Sequence, residues 1–193
     1  MGRFLSSVQI KNNVSREQFI KAFGDVMKKR SLVPCSKEEA SIGYILAFSA
    51  NDGWVTLTSE VHRDNPKQLK DDARQIAADL KTSSFSMEVA DSDWAYIELY
   101  TGADIHDTVV VGRSELDEEH SPKGREECWK QLLASGKSWE QLSEIWNKNE
   151  VFVEDALYEA AAMLGIEPKY MVSDCEDFNS TTDEDTNVAQ LFF

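Results

Sequence analysis

Long apolar runs, paired cysteines and glycine-rich loops are all missing from this sequence of 193 residues. Its longest apolar run, Tyr44 to Phe48, is far too short to cross a bilayer, and the N-terminal segment lacks the continuous apolar stretch expected of a secretory signal. The three cysteines, Cys35, Cys128 and Cys175, are odd in number and widely spaced. We therefore expect neither a disulfide framework nor a cysteine zinc site, but reduced thiols in a cytoplasmic protein.

Catalytic motifs with a linear signature are missing as well. The sequence contains no P-loop, no dinucleotide-binding glycine fingerprint, no GxSxG elbow and no HExxH, and its nine glycines do not cluster. We therefore expect no cofactor, and the missing motifs favour a function without catalysis. An enzyme stays open, because many active sites have no linear motif.

Positive charge is scarce, and the deficit is concentrated in the second part of the chain. Residues 1–112 carry 13 Lys and Arg against 16 Asp and Glu, a net charge of −3, whereas residues 113–193 carry 7 against 19, a net charge of −12. Because binding to phosphate needs a basic patch, direct binding of nucleic acid or of an anionic membrane is disfavoured. An acidic surface instead suits a basic protein partner.

Hydrophobic periodicity over residues 3–101 predicts the order strand, helix, strand, strand, helix, strand, after which one further strand hairpins back. This βαββαβ order predicts an α+β fold, namely a ferredoxin-like sandwich extended by an extra β-hairpin strand. With the 4-1-3-2 order of that fold, the sheet would have six strands in the order 6-5-4-1-3-2, and strand two or strand six would be an exposed edge. The predicted strands after the first are Ile42–Ser49, Trp54–Glu60, Phe85–Ala90, Trp94–Thr101 and Thr108–Val111.

Capping signals mark the starts of four predicted helices. Each is a polar cap residue followed by Gln three positions later or by Pro at the next position, at Ser15, Asn65, Ser121 and Ser138. A further helix is predicted from about Phe152 to Leu164, with Gly165 as its C-cap.

Strand five carries large side chains on both faces. Ile97 and Leu99 alternate with the aromatic residues Trp94, Tyr96 and Tyr100, so the two sets are predicted to point to opposite faces. We expect the C-terminal helices to cover the aromatic face. The predicted organisation is a sheet domain at 1–112, an acidic connector at 113–121, a helical subdomain packed on the sheet at 122–171, and an acidic, partly disordered tail with an apolar end at 172–193.

The favoured interpretation is a non-enzymatic cytoplasmic protein that binds a basic protein partner through an acidic surface, as an inhibitor or an immunity-type protein does. The predicted partner-binding residues are acids of the connector and the apolar end of the tail: Glu115, Asp117, Glu118, Glu119, Leu191, Phe192 and Phe193. The apolar end has three candidate docking sites, which are its own domain, a second copy in a homodimer, and a foreign partner.

The alternative is a domain that binds a small molecule, or acts on one, in a pocket between the aromatic sheet face and the C-terminal helices. The predicted lining is aromatic with one polar anchor: Trp54, Trp94, Tyr96, Tyr100, Trp129 and Asp93. An open pocket at that seam would favour a ligand, and a filled core beside an acidic surface would favour the partner. His106-Asp107 and the acids of the strand-five hairpin are interpreted as surface and turn residues, and no metal is expected, because a metal site needs further spaced ligands.

Overall fold

The structure, a computed structural model, describes residues 2–50, 53–112, 122–148, 150–180 and 187–193. Its strands are β1 (Leu5–Lys11), β2 (Gly43–Phe48), β3 (Trp54–Thr58), β4 (Ser83–Ala90), β5 (Trp94–Thr101), β6 (Asp104–Gly112) and β7 (Val188–Phe192). Its helices are α1 (Arg16–Lys29), α2 (Glu60–Asp64), α3 (Pro66–Leu80), α4 (Glu126–Trp129), α5 (Trp139–Trp146), α6 (Val153–Leu164), α7 (Pro168–Met171) and α8 (Cys175–Ser180), with a 3-10 turn at Lys130–Leu132.

The seven strands form one antiparallel sheet in the order β6-β5-β4-β1-β3-β2-β7. The neighbours predicted for the first six strands are all present, and β7 adds beside β2. The expectation that strand two is an exposed edge is therefore wrong. The chain is an α+β protein with a seven-stranded sheet, an order that differs from the four-stranded ferredoxin order, so the ferredoxin-like assignment stays a prediction.

Local signals fixed most helix ends as predicted. Ser15 and Ser138 each form a complete capping box, with Gln18 and Gln141 respectively. Asn65 accepts a hydrogen bond at 3.1 Å from the backbone N–H at the third helical position of α3. The last predicted helix ends at Gly165, whose φ of +78° is the left-handed conformation that favours glycine at a C-cap.

Three segments differ from prediction. The helix expected to start at Pro122 starts at Glu126, because Pro122 accepts a hydrogen bond from Val110 N–H at 2.8 Å and the chain first runs beside β6. The five-residue helix α2 was not predicted, since it is too short to show helical periodicity. The tail expected to lose order from residue 172 contains α8 and β7, while residues 181–186 lie outside the described ranges.

Two large hydrophobic cores lie on opposite faces of the sheet. One face packs on α1 and α3, through residues such as Val8, Phe23, Leu57, Ile76 and Phe193. The other face packs on the C-terminal helices from α4 to α7, and its core includes Phe85, Ile97, Leu99, Trp129 and Leu157. A smaller cluster joins β2 to Tyr170, Cys175 and Phe178. The sheet is thus the middle layer of three.

Each face of β5 is covered by the helical layer that was predicted for the opposite face. Ile97 and Leu99 point toward the C-terminal helices, whereas Tyr100 belongs to the core beneath α1 and α3. The expectation that the C-terminal helices cover the side of Tyr96 and Tyr100 is therefore wrong. Alternation shows which side chains share a face, but does not show which layer covers that face.

Candidate functional site

The outer side of α6 exposes large apolar side chains among acids. Val153, Ala156, Leu157, Ala160, Ala161 and Leu164 are buried on its inner side. Helical spacing places Asp155, Tyr158 and Glu159 on the opposite side, and all three are exposed. Val151 and Phe152, just before the helix, are 80% and 56% exposed, and Tyr158 is 52% exposed.

We call Val151, Phe152, Asp155, Tyr158 and Glu159 the α6 face. Aromatic side chains that stay this exposed beside charged residues are typical of contact surfaces, because they offer apolar area at little cost in conformational entropy. The sequence carried a signal for this face that we missed. Tyr158 is an aromatic residue that falls outside the inward-facing stripe of the helix.

The α6 face sits within the acidic part of the chain. Lys148 bridges it to the preceding loop, forming ion pairs with Glu159 and, at 4.0 Å, with Glu150. On the neighbouring helix α5, Glu140 and Glu144 are both exposed and one turn apart. Over residues 122–180 the sequence has 12 Asp and Glu against 6 Lys and Arg. The field around the α6 face is therefore negative.

The residues predicted to bind a partner are only partly available for that role. Glu115, Asp117, Glu118 and Glu119 lie outside the described ranges. Leu191, Phe192 and Phe193 belong to the β7 segment, which docks on β2 of its own domain. The ring of Phe193 is buried against Phe23 and Tyr44, with centroids 6.4 and 6.2 Å away. Of the docking sites left open for the apolar end, the structure shows the first.

The seam between the sheet and the C-terminal helices is filled by aromatic side chains. Trp54 and Trp129 are both buried, and each contacts Phe85, with ring centroids 5.7 and 5.5 Å away. Trp129 also makes an edge contact with Trp146 at 4.7 Å. The indole N–H of Trp54 donates to the carbonyl oxygen of Leu164, and that of Trp129 donates to Asp107, both at 2.8 Å. This geometry is that of a closed core.

The six residues predicted to line a pocket at that seam are not brought together. Trp54 and Trp129 lie in the closed core. Tyr96 and Tyr100 lie on the other side of the sheet, where both hydroxyl groups donate to Glu98. Trp94 begins β5, and Asp93 is exposed in the turn before it. The predicted common lining is wrong, because the face of β5 was assigned to the wrong layer.

Tyr96 and Tyr100 instead flank a polar cluster centred on Glu98. Their hydroxyl groups lie 3.2 and 3.0 Å from the Glu98 carboxylate oxygens. The Nζ atom of Lys70 on α3 lies 3.2 Å from Glu98, 3.6 Å from Glu88 and 4.5 Å from the centre of the Tyr96 ring. Cross-strand pairing explains the convergence, since Glu88 on β4 lies directly opposite Tyr96 on β5.

A cleft of about 660 Å³ opens between α3 and the β5–β6 hairpin beside this cluster. It is lined by Pro66, Lys67, Lys70, Asp71, Arg74, Glu98, Tyr100, Ala103, Asp104 and Ile105. Burial, followed by the charge of Glu98, raises the pKa of the Tyr100 hydroxyl. Burial also raises the pKa of Glu88, although the charge of Lys70 opposes that shift. A groove with both charges and a buried carboxylate suits a small polar ligand.

A separate polar network is centred on the buried carboxylate of Asp72. The carboxylate of Asp72 on α3 accepts hydrogen bonds from Gln68 at 2.6 Å, His62 at 2.8 Å and Tyr44 at 3.1 Å, and pairs with Arg30. Asp72, His62 and Tyr44 are buried. The network ties α1, α2, α3 and β2 together, and the side chains of Asp72 and His62 have no solvent exposure. We therefore assign it a structural role.

His106 and Asp107 do not form a metal site with other described residues. The Asp107 carboxylate accepts from the backbone N–H of Arg125 at 2.8 Å, from its guanidinium at 3.1 Å, and from Trp129. It therefore anchors the start of the C-terminal helices to β6. Within the described ranges, no three His, Cys, Asp or Glu side chains meet as metal ligands would.

Comparison with known proteins yields no relative for this chain. Neither a family model, nor a curated protein, nor a solved structure matches it. Over the described ranges, every helix is too short or too polar to span a membrane.

Proposed function

We propose that this chain is a non-enzymatic cytoplasmic interaction protein that binds a basic protein partner through the acidic layer formed by α4, α5 and α6. The α6 face is the centre of that contact. An inhibitor or immunity-type role is the form of this function that an acidic recognition surface suits best. The unpaired thiols of Cys35, Cys128 and Cys175 fit a reducing cytoplasm.

The observation that carries this proposal is the closed seam beneath an acidic, partly apolar outer surface. A ligand pocket under the C-terminal helices would need space between Trp54 and Trp129, and Phe85 fills that space. On the outside, Phe152 and Tyr158 supply the aromatic contacts that dominate binding energy at interfaces. The surrounding acids would accelerate encounter with a basic partner.

The test uses the full chain as immobilised bait, with bound proteins identified by mass spectrometry. We expect one basic protein at near-stoichiometric yield, lost with Tyr158→Ala or Asp155→Lys and retained with the control Val33→Ala. Val33 is 70% exposed in the loop between α1 and β2. Binding should weaken strongly at about 0.5 M salt, because the Debye length then falls well below 10 Å.

Two results would count against the proposal. One is recovery of no stoichiometric partner from any extract of the source cells. The other is a partner whose binding Tyr158→Ala and Asp155→Lys leave unchanged. Circular dichroism of each variant separates loss of contact from loss of fold, since both positions are exposed and their replacement should change stability by at most about 0.5 kcal/mol.

A second candidate function is binding of a small polar molecule in the cleft beside α3. The Glu98 cluster favours it, because the Glu98 carboxylate, the Lys70 ammonium and the Tyr100 hydroxyl group lie together in the cleft lining. Amide NMR titration with small zwitterionic and anionic molecules tests it. A true ligand should shift signals of both α3 and the β5–β6 hairpin, and Ile105→Trp, which adds bulk at the cleft, should abolish the shifts. A library that shifts neither element would exclude this function.

A further inference from the structure

The two edges of the sheet differ in how they are protected. Along β6, Val110 N–H donates to the carbonyl oxygen of Pro122 at 2.8 Å, and Val109 pairs with Lys123 in an isolated bridge. The guanidinium of Arg125 donates a hydrogen bond to the carbonyl oxygen of His106. Covering strands, charged side chains and bulges of this kind stop an edge from pairing with another chain. The β6 edge is therefore blocked over much of its length.

The β7 edge has a defined set of outward-facing backbone groups. Ile42 and Phe193 exchange two hydrogen bonds at 3.0 Å, and Phe48 N–H donates to Asn187 at 2.9 Å. In an antiparallel ladder such pairs alternate, so residues 187, 189, 191 and 193 bond toward β2. The N–H and C=O groups of Val188, Gln190 and Phe192 consequently point away from the sheet.

A contact at one end of β7 agrees with this assignment. The backbone N–H of Cys35 donates to the carbonyl oxygen of Phe192 at 3.1 Å, which requires that carbonyl to face outward. This contact covers the edge at Phe192. Within the described ranges, Val188 and Gln190 have no such cover, and the Gln190 side chain is exposed.

The sequence of β7 contains none of the usual protective residues. Its five residues, Val-Ala-Gln-Leu-Phe, include no charge, no proline and no glycine. The five side chains of β7 are uncharged, so they add no like charge to a contact between two copies of a protein with a net charge of −15. It also lies at the opposite end of the sheet from β5 and β6, whose outer face carries the acidic helical layer.

We propose that β7 pairs with β7 of a second copy of this chain. The strands run antiparallel about a two-fold axis at Ala189, so that Val188 of each copy lies opposite Gln190 of the other. In this register the outward N–H and C=O groups of Val188 and Gln190 form four backbone hydrogen bonds between the two copies. The hydrogen bond from Cys35 N–H to the carbonyl oxygen of Phe192 is kept. The result is a continuous fourteen-stranded sheet. The proposal does not depend on the basic partner, because the α6 face takes no part in it.

The contact is small, so the dimer is weak. An interface of one short strand lies at the low end of specific interfaces, so the dimer should become populated only at high protein concentration. Two copies of an acidic protein repel each other, and salt screens that repulsion. Raising salt should therefore strengthen the dimer, whereas it should weaken binding of a basic partner.

Sedimentation equilibrium of the full chain, over a range of concentrations at low and high salt, tests the proposal. The wild type should show a monomer–dimer equilibrium that shifts toward dimer with salt. Gln190→Pro removes an outward N–H and leaves the bonds to β2 intact, and proline is tolerated at such an edge position. We expect it to raise the dissociation constant at least tenfold, and Gln190→Lys to do the same at low salt.

Two matched variants serve as controls. Gln190→Thr keeps the backbone N–H and should dimerise like the wild type. Ile105→Lys places the same lysine on the exposed β6 side and should also leave the dimer unchanged. A single-chain mass at every concentration and salt level would overturn the proposal, and so would a dimer that Gln190→Pro leaves intact. Neither result bears on the α6 face, whose variants are scored by partner capture.

Discussion

Replacing the buried Asp72 with asparagine is expected to lower the free energy of unfolding by about 3 kcal/mol. The Asp72 carboxylate is fully buried and accepts from His62, Gln68 and Tyr44 while it pairs with Arg30. Asparagine has nearly the same shape as aspartate but carries no charge. Its NH2 group would also face neighbouring hydrogen-bond donors, from which it cannot accept. Removing one partner of a buried pair costs about 3–5 kcal/mol. We expect the lower end, because the Arg30 side chain is 21% exposed and water can solvate it.

Urea unfolding followed by tryptophan fluorescence measures this loss, which corresponds to a fall in Tm of about 6–12 °C for a chain of this length. Asp79→Asn is the matched control on the same helix. Asp79 also pairs with a base on α1, since it lies 2.7 Å from Lys29, but the Lys29 side chain is 63% exposed. Exposed pairs contribute about 0.2–1 kcal/mol. If both variants lost the same stability, or Asp72→Asn lost under about 1 kcal/mol, the network would not be the support we infer.

The stability loss in Asp72→Asn should also depend on pH, in a direction set by the pKa of Asp72. Burial alone would raise the pKa of Asp72, but the hydrogen bond and charge of His62, and then those of Arg30, together hold that pKa below its usual range. A carboxyl group with a lowered pKa in the folded state stabilises the fold above its unfolded pKa of about 3.9 and loses that contribution as pH falls through the folded value. The stability difference between wild type and Asp72→Asn should therefore be present above about pH 3.9 and shrink as the pH falls below that value.

Three further substitutions, one of them with a matched control, test other contacts and turns that stabilise the fold. Trp129→Phe removes the N–H that donates to Asp107, and urea unfolding should show a loss of about 2 kcal/mol, whereas a loss below about 0.5 kcal/mol would mean that this anchor is dispensable. Gly112→Ala should lower the free energy of unfolding by over about 2 kcal/mol, because at φ +81° the new Cβ would lie 2.4 Å from a backbone oxygen. The control Gly102→Ala, with φ +62° and open space around it, should cost only about 1 kcal/mol, and equal losses would refute the effect of crowding. Ser138→Ala should lower the free energy of unfolding by about 1 kcal/mol in thermal denaturation through loss of the α5 cap, and an unchanged Tm would contradict this.

Elements with local signals could be predicted from the sequence, and the βαββαβ order also gave the neighbours of the first six strands, but the position of the last strand could not be predicted. The capping boxes at Ser15 and Ser138 involve residues three positions apart, so the sequence displays both partners. The apolar end of the tail was recognisable, but its pairing with β2 joins residues far apart along the chain. No local pattern specifies which edge such a strand will join.

The candidate sites were missed for a related reason. Alternation in β5 correctly separated Ile97 and Leu99 from Tyr96 and Tyr100, yet the covering layer was assigned wrongly. Glu98 was the available signal: a carboxylate on the same face as Tyr96 and Tyr100 needs a polar partner when it is buried, and Lys70 of α3 is that partner. Asp72 offered a different signal, since it stands within the apolar stripe of α3 and a buried acid there must have partners from elsewhere in the fold.

The distribution of charge allows the two proposed contacts to coexist in one molecule. The α6 face combines exposed aromatic side chains with a negative field, so its partner must bring positive charge, and salt must weaken the complex. The β7 edge is uncharged and offers only backbone groups, so its partner must be another strand, and salt must relieve the repulsion between two acidic copies. Opposite salt dependences at opposite parts of the molecule mean that a single salt series, read once by partner capture and once by sedimentation, distinguishes the two surfaces without any mutation.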